Sequence, residues 1–301
     1  MKGIKRLILL SVPLLFTACG DGGMLPASSG KPYEAVVVND QNDSISHLLQ
    51  QEVEGLPQAE PMFDVTSIRK AEMKGIMKLA RCIVFFDKTT PLRIEKNVYA
   101  KPQIIVHTDG SHQEELLKLL NRFEITAQIA NLKRKQNIKA QTEIKKMFGV
   151  SMLIPADLTA MKKGKDFLWI SNNTATGMKN ICIYTFRSKS MSMNNPQRDS
   201  IFRANIKGET DGMYLKAIDQ KVVIEGNPKN PKFKLNGLWE MENDAMGGPF
   251  EEHIQRIKDH YIAAFAFVYA PEMKKRNLMR QLDASLYTLK NNQLWKKEKF
   301  V

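Results

Sequence analysis

The chain has 301 residues, 43% of them hydrophobic and 26% charged, and its formal net charge is +13 at pH 7. This composition is typical of a globular protein with one large domain or two ordinary ones, and it excludes collagen-like and intrinsically disordered chains. The excess of positive charge favours anionic partners such as lipid headgroups, cell-wall polymers or nucleic acid.

The N-terminus has the pattern of a secretion signal. Three cations among the first six residues precede an apolar run from Leu7 to Phe16, and small residues lie directly before Cys19. As a helix, residues 7–18 would be roughly 18 Å long, well short of the roughly 30 Å hydrocarbon slab of a bilayer. The segment resembles a lipoprotein signal, so we predict that residues 1–18 are removed and that Cys19 carries acyl chains such as palmitate.

This signal predicts a lipid-anchored protein of the cell envelope. By resemblance to known sorting patterns, Gly20 in place of aspartate after the cysteine indicates the outer membrane, facing the periplasm. Residues 19–30 contain Gly, Ser and Pro and predict a flexible tether. We therefore expect the membrane, through the lipid on Cys19, and an envelope protein or cell-wall glycan as partners, and not nucleic acid.

Residues 31–160 predict an α/β subdomain in which strands and helices alternate. The predicted elements are a strand at 33–38, a helix from Asp43 or Ser44 to Gly55, a helix over about 68–80, and strands at 82–86 and 103–107. Ser111 and Glu114 match a capping box, which opens a helical stretch to Phe148 with Gly149 after its end. That stretch is long for a globular helix, and we expect a break near Phe123–Ile125.

Residues 161–301 predict an antiparallel α+β subdomain. FLWIS and NICIYTF flank the polar connection NNTATGMK, as in a β-hairpin. Further predictions are a helix near 196–204, strands at 213–218, 221–225, 237–242 and 261–269, and an amphipathic helix with Pro271 at its first position and leucines at 278, 282, 286 and 289. The whole is an α+β fold: a layered mixed α/β first half and an antiparallel sheet with a packed C-terminal helix in the second, as two subdomains or one continuous domain.

Six phrases in a fixed order carry a family resemblance: GKPYEAVVV, GLPQAEPMFDV, FGVSMLIPADLT, GKDFLWISNNTATGMKNICIY, GLWEMENDAMGGPF and FVYAPEMKKRNLMRQLDASLYTL. The chain resembles a family of uncharacterised lipoproteins of Bacteroidetes-type bacteria, known only as a domain of unknown function, over about residues 30–290. The resemblance implies an envelope lipoprotein. It implies no activity and no catalytic residue.

Apart from Cys19, the chain has two cysteines, each in an apolar strand-like run. Cys82 lies in RCIVFF and Cys182 in NICIYTF. In an oxidising periplasm the two could form a disulfide, while the alternative is two buried, reduced residues that act as small hydrophobes.

The sequence contains no known catalytic template. There is no GxSxG, Walker A, HExxH or GxGxxG motif. His253 and His260 follow Glu251 and Glu252, but a spacing of seven positions between the histidines suits neither one helical face nor a finger pattern. We therefore predict no catalytic residue, no metal site and no cofactor.

Two polar loops are the best candidates for ligand binding. One follows Trp169 and includes Asn172, Asn173 and Thr174, and the other combines aromatic, acidic and glycine residues in WEMENDAMGGPF. Its candidate residues are Trp239, Glu242, Asp244, Gly247 and Gly248. A tryptophan that stacks on a sugar, with polar neighbours as hydrogen-bond partners, would explain this mixture, and a hairpin turn and an inter-strand crossover are the alternative.

Two functions remain open from the sequence. A non-enzymatic binding or assembly role agrees with the anchor, the basic charge and the missing catalytic motifs. The alternative is an envelope hydrolase or transferase that acts on glycan or cell-wall substrate with carboxylates of residues 240–244. The basic stretches 133–146 and 290–299 are solvated faces or contacts with the membrane. Ser44 and Ser200 resemble the O-glycosylation pattern of this lineage, or are helix starts.

Overall fold

The computed structural model describes residues 24–188, 196–227, 230–257 and 259–291. The predicted signal peptide, Cys19 and the basic stretch beyond residue 291 lie outside these residues. The described chain has two main sheets with helices packed on them, so the predicted α+β class is confirmed, with a mixed first sheet, an antiparallel second sheet and a packed C-terminal helix.

The first sheet is parallel except at one edge. Its strands are β1 (Glu34–Val38), β2 (Asp64–Ile68), β3 (Cys82–Phe86), β4 (Arg93–Lys96) and β5 (Ile104–Thr108), in the order β2-β1-β3-β5-β4. Only β4 runs antiparallel to its neighbour. The central strands are buried on both faces, which explains their nearly continuous apolar sequence.

Different helices cover the two faces of this sheet. The helices α1 (Ser44–Leu49) and α2 (Gln113–Arg134) pack on one face, against alternate residues such as Val37, Val84 and Val106. Two short 3-10 helices, Lys70–Glu72 and Gly75–Leu79, cover the other. The predicted α-helix over 68–80 is therefore wrong, because Gly75 has a left-handed φ of 56° that an α-helix does not admit.

The long helical stretch breaks in a different place from the predicted one. Residues 123–125 lie within α2, and the break falls at 135–137, before α3 (Ile138–Phe148). Asn137 explains this position, because its side chain accepts a hydrogen bond from the Ala140 N–H and caps α3. The predicted capping box is also wrong, since α2 begins after His112 and the Ser111 hydroxyl bonds to Asp109 instead.

The second half is built on a seven-stranded antiparallel sheet. After the short strand β6 (Val150–Ser151) come β7 (Ala160–Gly164), β8 (Phe167–Ser171), β9 (Met178–Phe186), the helix α4 (Pro196–Asn205), β10 (Leu215–Asn227), β11 (Asn230–Met241), β12 (Gly247–Ile257) and β13 (His260–Tyr269). The sheet order is β10-β11-β12-β13-β9-β8-β7. The hairpin of β8 and β9 is as predicted, whereas β12 is a strand that the sequence did not indicate.

Each face of this sheet has its own core. On one face, α3 and α5 (Arg276–Leu286) pack against β13 residues such as Ala264 and Ala266, and on the other α4 packs against aromatic residues such as Phe265. Since α3 packs here, it belongs to the second half, although the sequence placed the division near residue 160. The predicted helix start at Pro271 is wrong, because α5 begins five residues later. The strand β14 (Lys290–Asn291) pairs with β6.

The two halves are joined at the start of α5. The buried Glu60 of the first half accepts hydrogen bonds from the backbone N–H groups of Lys275, at 2.6 Å, and Arg276, at 3.2 Å. The Arg276 guanidinium in turn bonds to Asp64 at 2.6 Å. A carboxylate thus caps a helix N-terminus across the boundary, where the helix dipole favours negative charge, and this contact positions α5 against both halves.

The two internal cysteines are free and buried. Cys82 packs in the core of the first sheet, and Cys182 in the aromatic core of the second. Because the two thiols belong to different cores, the structure has no disulfide between them.

Candidate functional site

The predicted loop after Trp169 is a hairpin that its own side chains close. The Asn172 side chain accepts a hydrogen bond from the Lys179 N–H at 2.9 Å and donates one to the Gly177 carbonyl at 3.3 Å. Asn173 is exposed and has a left-handed φ of 50°, and the exposed Thr174 hydroxyl bonds within the turn. The indole N–H of Trp169 donates to Asn180.

The second predicted loop is the turn between β11 and β12. Trp239 is 2% exposed and donates to the Val268 carbonyl, so its ring is part of the core. A Cβ atom at Gly248 would lie 2.2 Å from the Val268 oxygen, which explains this glycine by close packing; Gly247 is similarly tight against the Trp239 carbonyl oxygen. The exposed Asp244 and the surface carboxylate of Glu242, 3.1 Å from Lys216, lie on the turn itself.

These two loops lie at the same end of the sheet but do not meet. The strand register places residues 172–177 and 242–246 at the same end of the strands. Met178, which follows the first loop, pairs with Tyr269 of β13, and Gly247, which follows the second loop, begins the neighbouring strand β12. About three strand spacings, roughly 14 Å, separate them. None of the named candidate residues of the two loops lines the cavity described next, although Pro249 and Phe250 at the end of the second loop do. The role of the candidate residues in ligand binding stays a prediction.

A cavity of about 310 Å³ lies between the two halves. Its walls come from α2, α5, the segment after α1, the middle of β11 and the first part of β12, which is the kind of inter-domain position where small-molecule sites are frequent. Polar lining residues are Tyr33, Glu54, Asn121, Lys234, Asn236, Glu251, Arg276, Arg280, Asp283 and Tyr287.

Three titratable side chains meet at one wall of the cavity. Glu251 and His253 lie on the same face of β12, since residues two apart on a strand share a face. Asp283 lies on α5, which packs on that face. The His253 Nε2 atom lies 2.8 Å from an Asp283 carboxylate oxygen. Glu251 hydrogen-bonds to Asp283. Both contacting atoms of the His253–Asp283 pair are shielded from solvent, and among the described residues they have no well-aligned hydrogen bond.

Two cations lie beside these carboxyl groups. The Lys234 ammonium contacts Tyr287, 3.8 Å from its ring centroid, and hydrogen-bonds to its hydroxyl. The Arg280 guanidinium stacks 3.9 Å from the Tyr33 ring centroid and donates to Asn121 at 2.8 Å. Each cation is therefore fixed by an aromatic ring at the cavity wall.

The carboxyl groups of Glu251 and Asp283 differ in pKa because their surroundings differ. Burial raises the pKa of Glu251 well above its usual range, and the charge of Asp283 adds to this. Burial also opposes ionisation of Asp283, but the contact with His253, the charge of Lys234 and the hydrogen bond with Glu251 outweigh it and lower the pKa of Asp283. When the two carboxyl groups share one proton, it therefore resides on Glu251 and is donated to Asp283. Burial also raises the pKa of Tyr33 to about 12, so this phenol stays neutral.

These three side chains could in principle hold a metal ion, since one donor atom from each lies within 4.8 Å of the others. However, Lys234 and Arg280 favour the ionised form of Glu251, and Lys234 also favours that of Asp283. Because two cations already compensate the negative charge, a divalent ion would be repelled at close range. The arrangement favours an ion network at the cavity wall.

A second carboxylate cluster lies on the opposite face of the same strand. Glu252 is completely buried, accepts a hydrogen bond from Arg198 at 3.1 Å and another from the Tyr184 hydroxyl. Burial raises the pKa of Glu252 although the Arg198 charge opposes the shift. This cluster lies among aromatic residues under α4, where a structural role explains it.

The sequence did not indicate this cavity, but it contains two signals for it. In PFEEHI, Glu251 and His253 alternate with Phe250, Glu252 and Ile254, which is a strand pattern once β12 is recognised. On α5, Asp283 follows Met279 by four residues and precedes Leu286 by three, so it occupies a position on the apolar face. A charged residue there needs a buried partner.

In the described part of the chain, no helix is both long enough and apolar enough to cross a bilayer. The predicted signal segment and Cys19 are outside that part.

Comparison with known proteins gives families without a known role. A family described as a domain of unknown function, DUF8532, matches residues 28–146, and another, DUF4837, matches residues 137–288. The two matches meet at α3, where the first half of the fold gives way to the second. No curated protein matches the chain. Since the second match covers half of the chain, the protein belongs to the DUF4837 family of domains of unknown function.

Proposed function

We propose that the protein is a lipid-anchored binding protein of the cell envelope, without catalysis of its own, and that the cavity between its halves holds its ligand. The proposed anchor is the lipid on Cys19, and the proposed location is the outer membrane, facing the periplasm. The convergence of Lys234, Glu251, Arg280 and Asp283 on one inter-domain cavity is the observation that carries the binding site. The wider partners would be an envelope protein or a cell-wall glycan.

The lining of the cavity suggests the chemistry of the ligand. Lys234 and Arg280 offer positive donors, Asn121 and Asn236 offer amides, and Glu251 can both donate and accept a hydrogen bond. A volume of about 310 Å³ is at the lower end for small-molecule sites. A small polar molecule with both an anionic and a donor group, such as an amino acid or a short peptide of the cell wall, matches these groups.

A thermal-shift experiment with small molecules tests this proposal. We expect one class among amino acids, amino sugars and short cell-wall peptides to raise the melting temperature of the protein. Ile125→Phe places a larger side chain at the cavity wall and should abolish the shift. Ile94→Phe makes the same change on exposed β4, away from the cavity, and should preserve it. If no compound stabilises the protein, or if both variants respond alike, the cavity is not the binding site.

A second candidate function is an envelope hydrolase or transferase that acts on glycan or cell-wall substrate. The separated pKa values of Glu251 and Asp283 favour it, because one protonated and one ionised carboxyl group is the arrangement that acid–base catalysis requires. This candidate places the chemistry in the cavity and not at Glu242 and Asp244, the carboxylates that the sequence suggested.

The variant Glu251→Gln distinguishes the two functions, because they predict different effects on turnover. Glutamine keeps the size and hydrogen bonding of a protonated glutamate but cannot transfer its proton. An enzyme would lose turnover of a labelled peptidoglycan fragment while it still bound the fragment. A binding protein would show no turnover in either form, and its binding would change little.

A further inference from the structure

The N-terminal end of the described chain is docked on the first half of the fold. The Lys101 N–H donates to the Pro26 carbonyl at 2.9 Å, and the Ser29 N–H donates to the Leu79 carbonyl at 2.8 Å. Ala27 forms a bridge with Lys101, and Ser29 one with Ala80. Residues 26–29 of the predicted tether are therefore held on the protein.

Three segments form the surface around this point: residues 24–31, 73–81 and 96–101. We name this surface the tether-side patch. Its segments touch one another, since residues 26–29 bond to 79 and 101, and the Gln103 side chain links Tyr99 to the Lys78 and Ala80 carbonyls.

The tether-side patch exposes an unusual amount of apolar side chain. Met24 is 96% exposed, Ile76 65% and Tyr99 40%, and Leu25 and Val98 are exposed as well. These are five of the nine exposed large hydrophobic residues in the described part of the chain. Their concentration on one surface indicates a contact site and not the usual scatter of single residues.

The same patch carries charge of one sign. Its three segments contain five lysines and Arg81 but no aspartate or glutamate. Arg81 pairs with Glu124, whereas none of the lysines forms an ion pair within the described residues. The lysines are Lys31, Lys74, Lys78, Lys96 and Lys101, all exposed. A ring of lysines around exposed Ile, Met and Tyr side chains matches the headgroup and interfacial layers of an anionic bilayer.

Covalent geometry places this patch next to the proposed anchor. Seven residues separate Cys19 from Pro26, and an extended chain reaches at most roughly 25 Å over that number. This distance is shorter than the width of a domain of this size. If Cys19 is acylated, the patch is the surface that can reach the membrane with the least extension.

The geometry points to the tether-side patch as a membrane-docking surface. Met24, Ile76 and Tyr99 enter the interfacial layer, and the lysines contact anionic headgroups. The proposal rests on the lipid anchor of the proposed function for its orientation, and the patch itself can be tested without that anchor. It differs from the surfaces considered in the sequence analysis, the basic stretches 133–146 and 290–299, which are interpreted as solvated faces or contacts with the membrane.

The test is vesicle sedimentation of an unlipidated chain that begins at Gly20 and keeps every described residue. We expect it to bind phosphatidylcholine vesicles with 30% phosphatidylglycerol and not vesicles of phosphatidylcholine alone. The variant Lys74→Glu, Lys78→Glu, Lys101→Glu should lower the partition coefficient more than tenfold, because each cation near an anionic surface contributes about fivefold. Because all three side chains are exposed, the circular dichroism spectrum should not change.

The matched control is Lys139→Glu, Lys145→Glu, Lys146→Glu on α3, which changes the same charge on an equally exposed surface. It should lower binding at most twofold. An equal or larger loss in this control, or no binding to the anionic vesicles, overturns the docking surface. Mass spectrometry of Cys19 in the native protein tests the anchor separately: an unmodified thiol removes the anchor even if the patch binds vesicles, and an acylated thiol leaves the vesicle result decisive for the patch.

Discussion

Glu251 and Glu252 are adjacent in the sequence, yet they lie in two regions with different physical character. Glu252 faces the aromatic core under α4, where Arg198 and Tyr184 surround it and where none of its surface reaches solvent. Glu251 faces α5 and the cavity, is half-buried, and shares a proton with Asp283. One step along a strand therefore separates a buried ion pair, Glu252 with Arg198, from a pair of carboxyl groups at a cavity wall, Glu251 with Asp283.

The comparison shows which property distinguishes a structural carboxyl group from one that can contact a ligand. Both residues have a raised pKa, so the shift alone does not distinguish them. The distinction comes from the space beside each group, because a closed pair can only stabilise or destabilise the fold, whereas a pair at a cavity can also meet a ligand.

The largest expected effect on stability comes from removing Arg198 from its buried ion pair with Glu252. Arg198→Met should lower the free energy of unfolding by about 4 kcal/mol at pH 8, because it leaves the Glu252 carboxyl group without its cation in a dry core. The loss should be smaller at pH 5, since a protonated Glu252 carries no charge to be compensated. Urea denaturation at both pH values measures this.

The double variant Arg198→Met, Glu252→Leu is the control for this prediction. It removes both charges together and should recover most of the lost stability, as replacement of a buried ion pair by apolar residues often does. If the double variant is as unstable as the single one, the Arg198 effect comes from packing and not from the unpaired charge.

A smaller loss of stability should follow from Asp283→Asn at the cavity wall. We expect a decrease of about 2 kcal/mol in the free energy of unfolding, because Lys234 and His253 lose the carboxylate beside them, while Lys234 itself lies at the cavity wall where solvent can reach it. The same measurement applies. A loss as large as that of Arg198→Met would mean that both regions are equally closed.

Glu251→Gln should change the pH dependence of stability more than its magnitude. The folded protein holds the Glu251 proton above the ordinary pKa of 4.5, whereas the unfolded chain releases it, so this residue makes the wild type less stable as pH rises from about 4.5 through the raised pKa. Asp283 has the opposite sign, and its contribution disappears only as pH falls through its lowered pKa. Relative to the wild type, Glu251→Gln should therefore gain stability between pH 5 and pH 8. A constant difference over that range would contradict the raised pKa.

The smallest effect is expected at the turn that the sequence suggested. Glu242→Gln and Asp244→Asn should each change stability by less than about 0.5 kcal/mol, because Glu242 has only a surface ion pair with Lys216 and Asp244 is exposed. Ligand-induced thermal shifts should be unchanged in both variants. A loss of the shift here, with a normal shift in Glu251→Gln, would move the site from the cavity to the loop.

Much of the fold was predictable because its strands have clear local signals. The run CIVFF at residues 82–86 is the observed β3, and the β8–β9 hairpin follows from two apolar runs around an Asn- and Gly-containing connection. Boundaries that depend on one residue were not predictable. Gly75 turns a helical pattern into 3-10 turns, and Asn137 decides where the long helix breaks.

The candidate site was not predictable for a related reason. The strand β12 begins with two glycines and a proline at 247–249, which are residues typical of loops. The acidic residues after them are therefore interpreted from the sequence as part of a loop. The glycines serve close packing under Val268 and Trp239. Asp283 and Glu251 are also 32 positions apart, and only the packing of α5, fixed by Glu60 from the other half, brings them together. No local pattern contains that contact.

Native mass spectrometry of the protein, extracted gently from the cells that make it, tests most directly whether the cavity holds a ligand. We predict a bound small molecule on the wild type and on Ile94→Phe, and its absence on Ile125→Phe. The same molecule on all three forms, or on none of them, would contradict a binding site between the two halves.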